Sequence, residues 1–283
     1  MSDKTTLTLL VTKAVSDKTT LPPLIAKDQR FHSTYFKEPK EEVKSKVYAY
    51  FVMVHEGKLV IALSVSSSPR NHHSLDPFGG FPDYPNDLQK SLMEEIDQET
   101  CRAFGDDIAH VDKNDERVYR EDFFQKYPSV VNEFEKEIKS NFHGMKSKFK
   151  GVDAVVLITP DDYNKIVEHQ LTYINYHDSH KDQKIISKHF LEKRGTALYP
   201  FSDFITLLKK AREENFSDRA ELFLEPINEI PEPDDPTRML ELKEFKEKSK
   251  NTYKIPGYVV NFMKDKIEFF ENAVKKLGLE QYV

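Results

Sequence analysis

The chain has no tryptophan, one cysteine and only nine glycines in 283 residues. A single cysteine excludes an internal disulfide and suits a reducing compartment, so a cytoplasmic location is expected. No apolar run approaches the roughly 18 residues that a membrane helix requires. The first residues, MSDKTTLTLLVTKAVSDKTT, lack a cationic leader joined to a long apolar segment, so no secretory signal is expected. A large charge of one sign is also missing. Lysine and arginine number 42 against 48 acids, a net charge of −6, which argues against a general nucleic-acid binder or a membrane-surface protein. Lys136, Lys139, Lys146, Lys148 and Lys150 form a local basic cluster around His143, which reads as a solvated face.

What the sequence does have is concentrated between Gly79 and Phe104, GGFPDYPNDLQKSLMEEIDQETCRAF. A glycine turn runs into an amphipathic segment whose spacing predicts a helix. Glu95 and Glu99 are four residues apart, so their carboxylates fall on one face about one turn from each other. Two carboxylates beside exposed turn backbone can hold a hard cation such as Mg²⁺ through oxygen ligands, and such an ion sits well against a diphosphate. The same acids can equally be the solvated face of an ordinary helix. Cys101 lies among small and apolar neighbours and is expected to be a buried thiol.

This stretch resembles the Nudix box, whose pattern is Gly, five residues, Glu, seven residues, Arg-Glu-aliphatic-x-Glu-Glu-x-Gly-aliphatic. With Gly80 as the first glycine, Gly80, Glu95, Ile96 and Glu99 match, whereas Asn86, Glu94, Gln98, Cys101 and Arg102 depart. The surroundings add to the resemblance. Val47–Val54 and Leu59–Val65 read as two strands joined at His55-Glu56-Gly57-Lys58, and a polar loop Ser66–Leu75 leads to DPFGGFPD, with Asp83 where the family has a glutamate. Val152–Thr159 reads as a buried strand, and TALYPFSDFITLLKKA resembles the family's last strand, Pro-containing turn and closing helix.

The fold class expected from this order is α+β: a Nudix-like α/β/α sandwich with a mixed sheet, a helical insertion and a C-terminal helical extension. The expected organisation is an N-terminal arm or strands over 1–42, a Nudix-like domain over 43–211 with a helical insertion at about 121–142, a Pro/acidic linker over 212–236, and C-terminal helices over 237–283. Residues Asp161–Tyr176 read as a further helix, opened by Thr159 and Pro160, and Lys184–Lys193 as a short one. EPINEIPEPDDP, from Glu225 to Pro236, is too rich in proline for an element interior and reads as a linker or a strap across a surface. The apolar stripe Val259, Val260, Phe262, Met263, Ile267, Phe270, Ala273 and Val274 wants a partner. That partner is either the chain's own Nudix-like domain or, as a homodimer or protein interface, another molecule.

The resemblance implies metal-dependent hydrolysis of a nucleoside diphosphate linked to another moiety. It implies Mg²⁺ or Mn²⁺ held by Glu99, Glu95, Gln98 and the Gly80 carbonyl, with Glu95 also the candidate base that activates water. Arg70, His72 and His73, in the loop before Gly79-Gly80, are candidate phosphate contacts. Phe78, Phe81 and Tyr84 place rings near the box, and Asp161, Asp162 and Glu168 are candidate late ligands. Two departures cut against catalysis: Gln98 brings no charge to a cation, and Glu94 replaces the arginine that orients the family's glutamates. Two readings follow from the sequence: a divergent pyrophosphohydrolase acting on a dinucleotide, nucleotide sugar or capped RNA, or a catalytically inactive Nudix-fold binding or assembly protein.

Overall fold

The computed structural model describes residues 44–66, 74–105, 122–139, 146–179, 193–214, 216, 221–222, 224–228, 230–231, 239–240 and 255–283. The N-terminal arm, the loop carrying Arg70, His72 and His73, and the expected helix at 184–193 up to its last residue lie outside the described residues.

A mixed sheet divides the molecule. Its strands are β1 (Lys44–His55), β2 (Lys58–Ser66), β3 (Leu75–Asp76), β4 (Phe78–Gly80), β5 (Ser129–Lys139), β6 (Lys146–Leu157) and β7 (Lys193–Pro200). β1 runs parallel to β6 and antiparallel to β2 and β4, β5 pairs with β6, and β2 also pairs with β3 and β7. The run VYAYFVMV in β1 is apolar on both faces because both faces are covered. Val47, Ala49, Phe51 and Met53 pack into one core with Leu92 and Ile96 of α1 (Leu88–Glu99) and Ile166 of α3 (Pro160–Ser179). Tyr50 and Val52 pack into the other core with Phe204, Leu207 and Leu208 of α4 (Phe201–Glu214). The architecture is therefore α+β, a mixed sheet with helices packed on both faces.

The helical insertion expected at 121–142 is a correction. Among the described residues of that stretch the only helix is the four-residue α2 (Phe123–Lys126), and Ser129–Lys139 is strand β5, in an antiparallel ladder with β6. Val130, Phe134 and Ile138 are four apart, a spacing that a helix face and a strand face both satisfy. What selects the strand is the partner: Val130 lies opposite Val155, Phe134 opposite Gly151, and Glu135 opposite Lys150, with which it pairs at 3.6 Å. Thr237–Lys250 also departs from helix where it is described, since Met239–Leu240 is a short strand paired with Ile230–Pro231.

After α4, Leu222 and Leu224 are buried in the core on the α4 side. Ile227 donates its N–H to the Leu198 carbonyl at 2.9 Å, and Asn228 Oδ1 accepts from the Leu198 N–H at 2.6 Å. The described part of the acidic, proline-rich stretch is thus a strap laid along β7. The apolar stripe of the last helices, α5 (Gly257–Met263) and α6 (Ile267–Lys276), finds its partner within the chain. Val259, Val260, Met263, Ile267, Phe270, Ala273 and Val274 are buried in the core they share with α4 and the sheet. Of the two expectations for that stripe, its burial against the chain's own sheet and α4 is the one observed.

A buried ion pair anchors this last segment. Lys266 Nζ lies 2.5 Å from Asp153 Oδ1 in the middle of β6 and 3.5 Å from the centroid of the Phe262 ring, and Tyr50 OH donates to the same Asp153 oxygen at 3.4 Å. Removing one partner of such a pair strands a charge in the core. Lys266→Ala should lower the unfolding free energy by about 3–5 kcal/mol in urea titrations, and adding Asp153→Asn should recover much of that loss.

Candidate functional site

Helix α1 forms in the amphipathic segment after the glycine turn. Asp87 is the N-cap, accepting from the Lys90 N–H at 3.0 Å, and Ser91 ties the preceding loop down by accepting from the Tyr84 N–H at 2.8 Å. Its end is a Schellman motif. The Arg102 N–H reaches the Asp97 carbonyl at 2.8 Å and the Cys101 N–H reaches the Gln98 carbonyl at 3.1 Å. Cys101, at the position of the box's closing glycine, has φ 53°, the left-handed conformation that favours glycine. The backbone shape of the box end is kept although the glycine is not. Cross-links from α3 fix this end: His169 Nδ1 donates to the Cys101 carbonyl at 2.8 Å. Gln170 Nε2 donates to the Glu99 carbonyl at 3.0 Å, while Gln170 Oε1 accepts from Thr196 Oγ1 of β7 at 3.0 Å.

The helix is aimed at a fork in the sheet. β1 pairs with β4 through Val47–Ala49 and with β2 through Phe51–His55, so its two halves have different neighbours. Gly79, in β4, has φ 135°, and a Cβ there would collide with the Val47 carbonyl oxygen, so only glycine fits. Glu99 spans the fork. Its Oε2 accepts from the Gly79 N–H at 2.6 Å, and its Oε1 lies 3.1 Å from Nζ of Lys193, the first residue of β7. The Glu99 and Lys193 side chains are 3% and 7% exposed. Gly80 lies directly against the Glu95 carboxylate: a Cβ there would stand 3.0 Å from Glu95 Oε1.

Lys193 is held charged. Burial disfavours its ammonium, but Glu99, Asp76 and Glu95 together outweigh burial and raise its pKa. Burial raises the pKa of Asp76 against the opposing pull of Lys193 and Lys46. Lys46 shifts the other way, lowered by burial more than Asp76 restores it. The rings of Tyr48, Phe81 and Phe262 lie 5.7, 5.3 and 5.6 Å from Lys46 Nζ. Tyr258, from α5, is raised to about 12 by burial and by Asp76, with Lys193 opposing. Phe81 and Tyr258 are 69% and 41% exposed, so the neighbourhood of the fork presents aromatic surface to solvent.

The structure brings Gly80, Glu95 and Glu99 together, as the box resemblance implies. Gln98 is buried at the end of the helix, and Glu94, at the family's arginine position, is 2% exposed. Arg70, His72 and His73 are outside the described residues, although the ends of their loop are closed by the Ser66 N–H donating to the Ser74 carbonyl at 2.8 Å. Asp162 is not brought to the box as a late ligand. It closes a capping box with Thr159, accepting from the Thr159 N–H at 3.0 Å, and Asp161 and Glu168 are exposed. Lys90 stands over the Tyr84 ring at 3.9 Å.

As it stands, Glu99 is poorly suited to a divalent cation, because one carboxylate oxygen accepts from the Gly79 N–H and the other lies 3.1 Å from the Lys193 ammonium, whose charge would repel a dication. Among the described residues no three His, Cys, Asp or Glu side chains form a metal-holding group. Sequence reasoning missed Lys193, Asp76, Lys46 and Tyr258. A lysine that opens a strand carries no local signal of burial, and its partner is 94 positions away, so only the fold reveals the pair. No described helix is long and apolar enough to cross a membrane.

No protein-family model and no curated protein matches the sequence. Among solved structures the chain is similar to the NUDIX domain of Shewanella oneidensis NrtR complexed with ADP ribose, at 13% identity over 65% of this chain and 96% of that one, TM-score 0.32. It is also similar to a C. elegans Ap4A hydrolase in a binary complex, at 14% identity over 41% and 68%, TM-score 0.24. A third similar structure is S. oneidensis NrtR complexed with a 27mer DNA, at 15% identity over 60% and 61%, TM-score 0.30. At these values the likeness carries nothing about ligand or activity, and the fold rests on the strand order and layers described above.

Two outcomes follow from the site. Lys193→Met and Glu99→Gln should each lower stability by about 3–5 kcal/mol by stranding a buried charge, and the double variant should lose much less than their sum; denaturant titration of all four proteins reads this directly. Asp97 gives a pH signature. Burial raises its pKa to about 7 against the pull of Arg102, whose Nε is 3.6 Å away. The folded state therefore binds this proton more tightly than the unfolded chain, where the group titrates at about 3.9. Its contribution to stability is full below about 3.9 and is lost as pH rises to about 7. Asp97→Asn should flatten the fall in stability across that window, measured by thermal unfolding at a series of pH values.

Proposed function

We propose that this chain is a Nudix-fold binding module for a nucleotide-derived diphosphate, and that it does not hydrolyse its ligand through a divalent cation held by the box. One observation carries this reading: the carboxylate expected to be the principal metal ligand, Glu99, already accepts from the Gly79 N–H and holds the buried Lys193 ammonium. Glu94 supports it from the other side, since an acid in place of the orienting arginine adds negative charge where the family's hydrolysis implies a positive partner. For the ligand, the support is the exposed Phe81 ring directly after Gly80, with the Lys46 ammonium 5.3 Å away. A ring face beside a cation suits a base and a phosphate.

The hydrolase reading retains a specific observation of its own, the Glu95 carboxylate beside Gly80. With purified protein and either Mg²⁺ or Mn²⁺, ADP-ribose, a diadenosine polyphosphate, a nucleotide sugar and capped RNA should show no turnover above that of Glu99→Gln. At least one of them should bind, and Phe81→Ala should weaken that binding about tenfold or more, consistent with about 1–3 kcal/mol per stacked base. Turnover abolished by Glu99→Gln would establish the enzyme instead, and a panel in which nothing binds would remove the nucleotide ligand from the proposal.

A further inference from the structure

Next to the box, Lys46 of β1 is surrounded by ring faces rather than carboxylates. Its Nζ lies 5.3 Å from the centroid of Phe81, directly after β4, and 5.6 Å from that of Phe262 on α5. Among the described residues it forms no ion pair. Tyr258 and Phe262 are four residues apart on α5, so they share a helix face about one turn from each other. Phe262 packs on Tyr48 with ring centroids 4.8 Å apart, which sets that face of α5 against β1. The Tyr258 hydroxyl feels both Asp76 and Lys193, so it reaches the fork. Phe81 and Tyr258 are also the exposed aromatic side chains among the described residues. Two solvent-facing rings and one cation thus converge from β4, α5 and β1.

We infer that the C-terminal helices form one wall of the ligand site, and that the site takes a ligand with two bases joined through phosphates. Phe81 stacks one base, Tyr258 stacks the other, and Lys46 holds the phosphates between them. The inference rests on the binding-module reading and goes further, because it names the ligand class and adds a residue from outside the box. A ring face stacks any base, whereas the hydroxyls of a sugar call for hydrogen-bonding partners. A ligand with a single base would leave one of the two rings in water. An ammonium set among rings keeps its N–H donors open to phosphate oxygens. Tyr258 is also held in place before any ligand arrives. Its neighbours Val259, Val260 and Met263 are buried in the core, so little ordering remains to oppose binding.

The test is isothermal titration calorimetry on the full chain in metal-free buffer, so that hydrolysis does not intervene. The probes are diadenosine tetraphosphate, ADP-ribose and ATP, the last a one-base ligand of similar charge to the first. Diadenosine tetraphosphate should bind about tenfold or more tighter than either of the others, the gain that a second stacked base provides. Tyr258→Leu keeps apolar bulk without a ring. It should remove that advantage and leave ATP binding unchanged. Tyr258→Phe keeps the ring and drops the hydroxyl, and it should bind all three probes as the unaltered chain does. Equal affinity for the three probes would overturn the inference. So would a Tyr258→Leu protein that keeps the preference, or one that loses all three probes alike. A Tyr258→Phe protein as weak as Tyr258→Leu would overturn it too, because the hydroxyl and not the ring would then matter. If no probe binds, the binding-module reading falls and takes the inference with it. If ATP binds and Phe81→Ala weakens it while Tyr258 makes no difference, the inference falls alone.

Discussion

The Glu99 carboxylate spans the place where β1 changes partners, and the geometry of the box depends on that span. One oxygen takes the Gly79 N–H of β4 and the other the Lys193 ammonium of β7, so a single side chain ties both prongs of the forked sheet to the end of α1. The surrounding structure keeps it there. Gln170 reaches from α3 to the backbone carbonyl of the same residue and to Thr196 of β7, and His169 holds the carbonyl of Cys101 just beyond it. A buried carboxylate with its partners fixed on three sides is a rigid feature, and rigidity is what a preformed recognition site requires.

A second buried pair, Lys266 with Asp153, lies where the C-terminal helices meet the sheet. It follows the same physical rule with a different result. In the first pair the lysine comes from a strand and holds the carboxylate at the end of α1; in the second it comes from the turn between two C-terminal helices and seats them on the sheet. Both pairs are costly to desolvate, and both become strongly destabilising only when one member is removed. The C-terminal helices therefore belong to the fold's own core. They also bring Tyr258 to the fork, where burial and Asp76 act on its hydroxyl.

The parts of this arrangement that were legible in the sequence are those set by local chemistry. Gly79-Gly80, the amphipathic helix through Glu99 and the helix start at Thr159-Pro160 all follow from residues within one turn of each other. Pattern gave β1 and β2, because an apolar run bounded by a polar turn has few other solutions. Period failed where it is degenerate: Val130, Phe134 and Ile138 satisfy a helix as well as a strand, and only the ladder with β6 decides. Cys101 shows a subtler limit. The box glycine is absent, yet the left-handed turn it would have served is present at φ 53°. Lys193 was not legible at all, since nothing near it in the chain indicates Glu99, and it changes the chemistry expected of the box more than any of the substitutions within it.

Anomalous diffraction from crystals grown with millimolar MnCl₂ tests the central claim most directly, because it reads metal occupancy and the Lys193 position in one experiment. The account expects Lys193 Nζ within about 3 Å of a Glu99 carboxylate oxygen, as charge-assisted pairs require, and no manganese peak at the fork. A manganese peak ligated by Glu99 and Glu95, with Lys193 swung away from the fork, would contradict it.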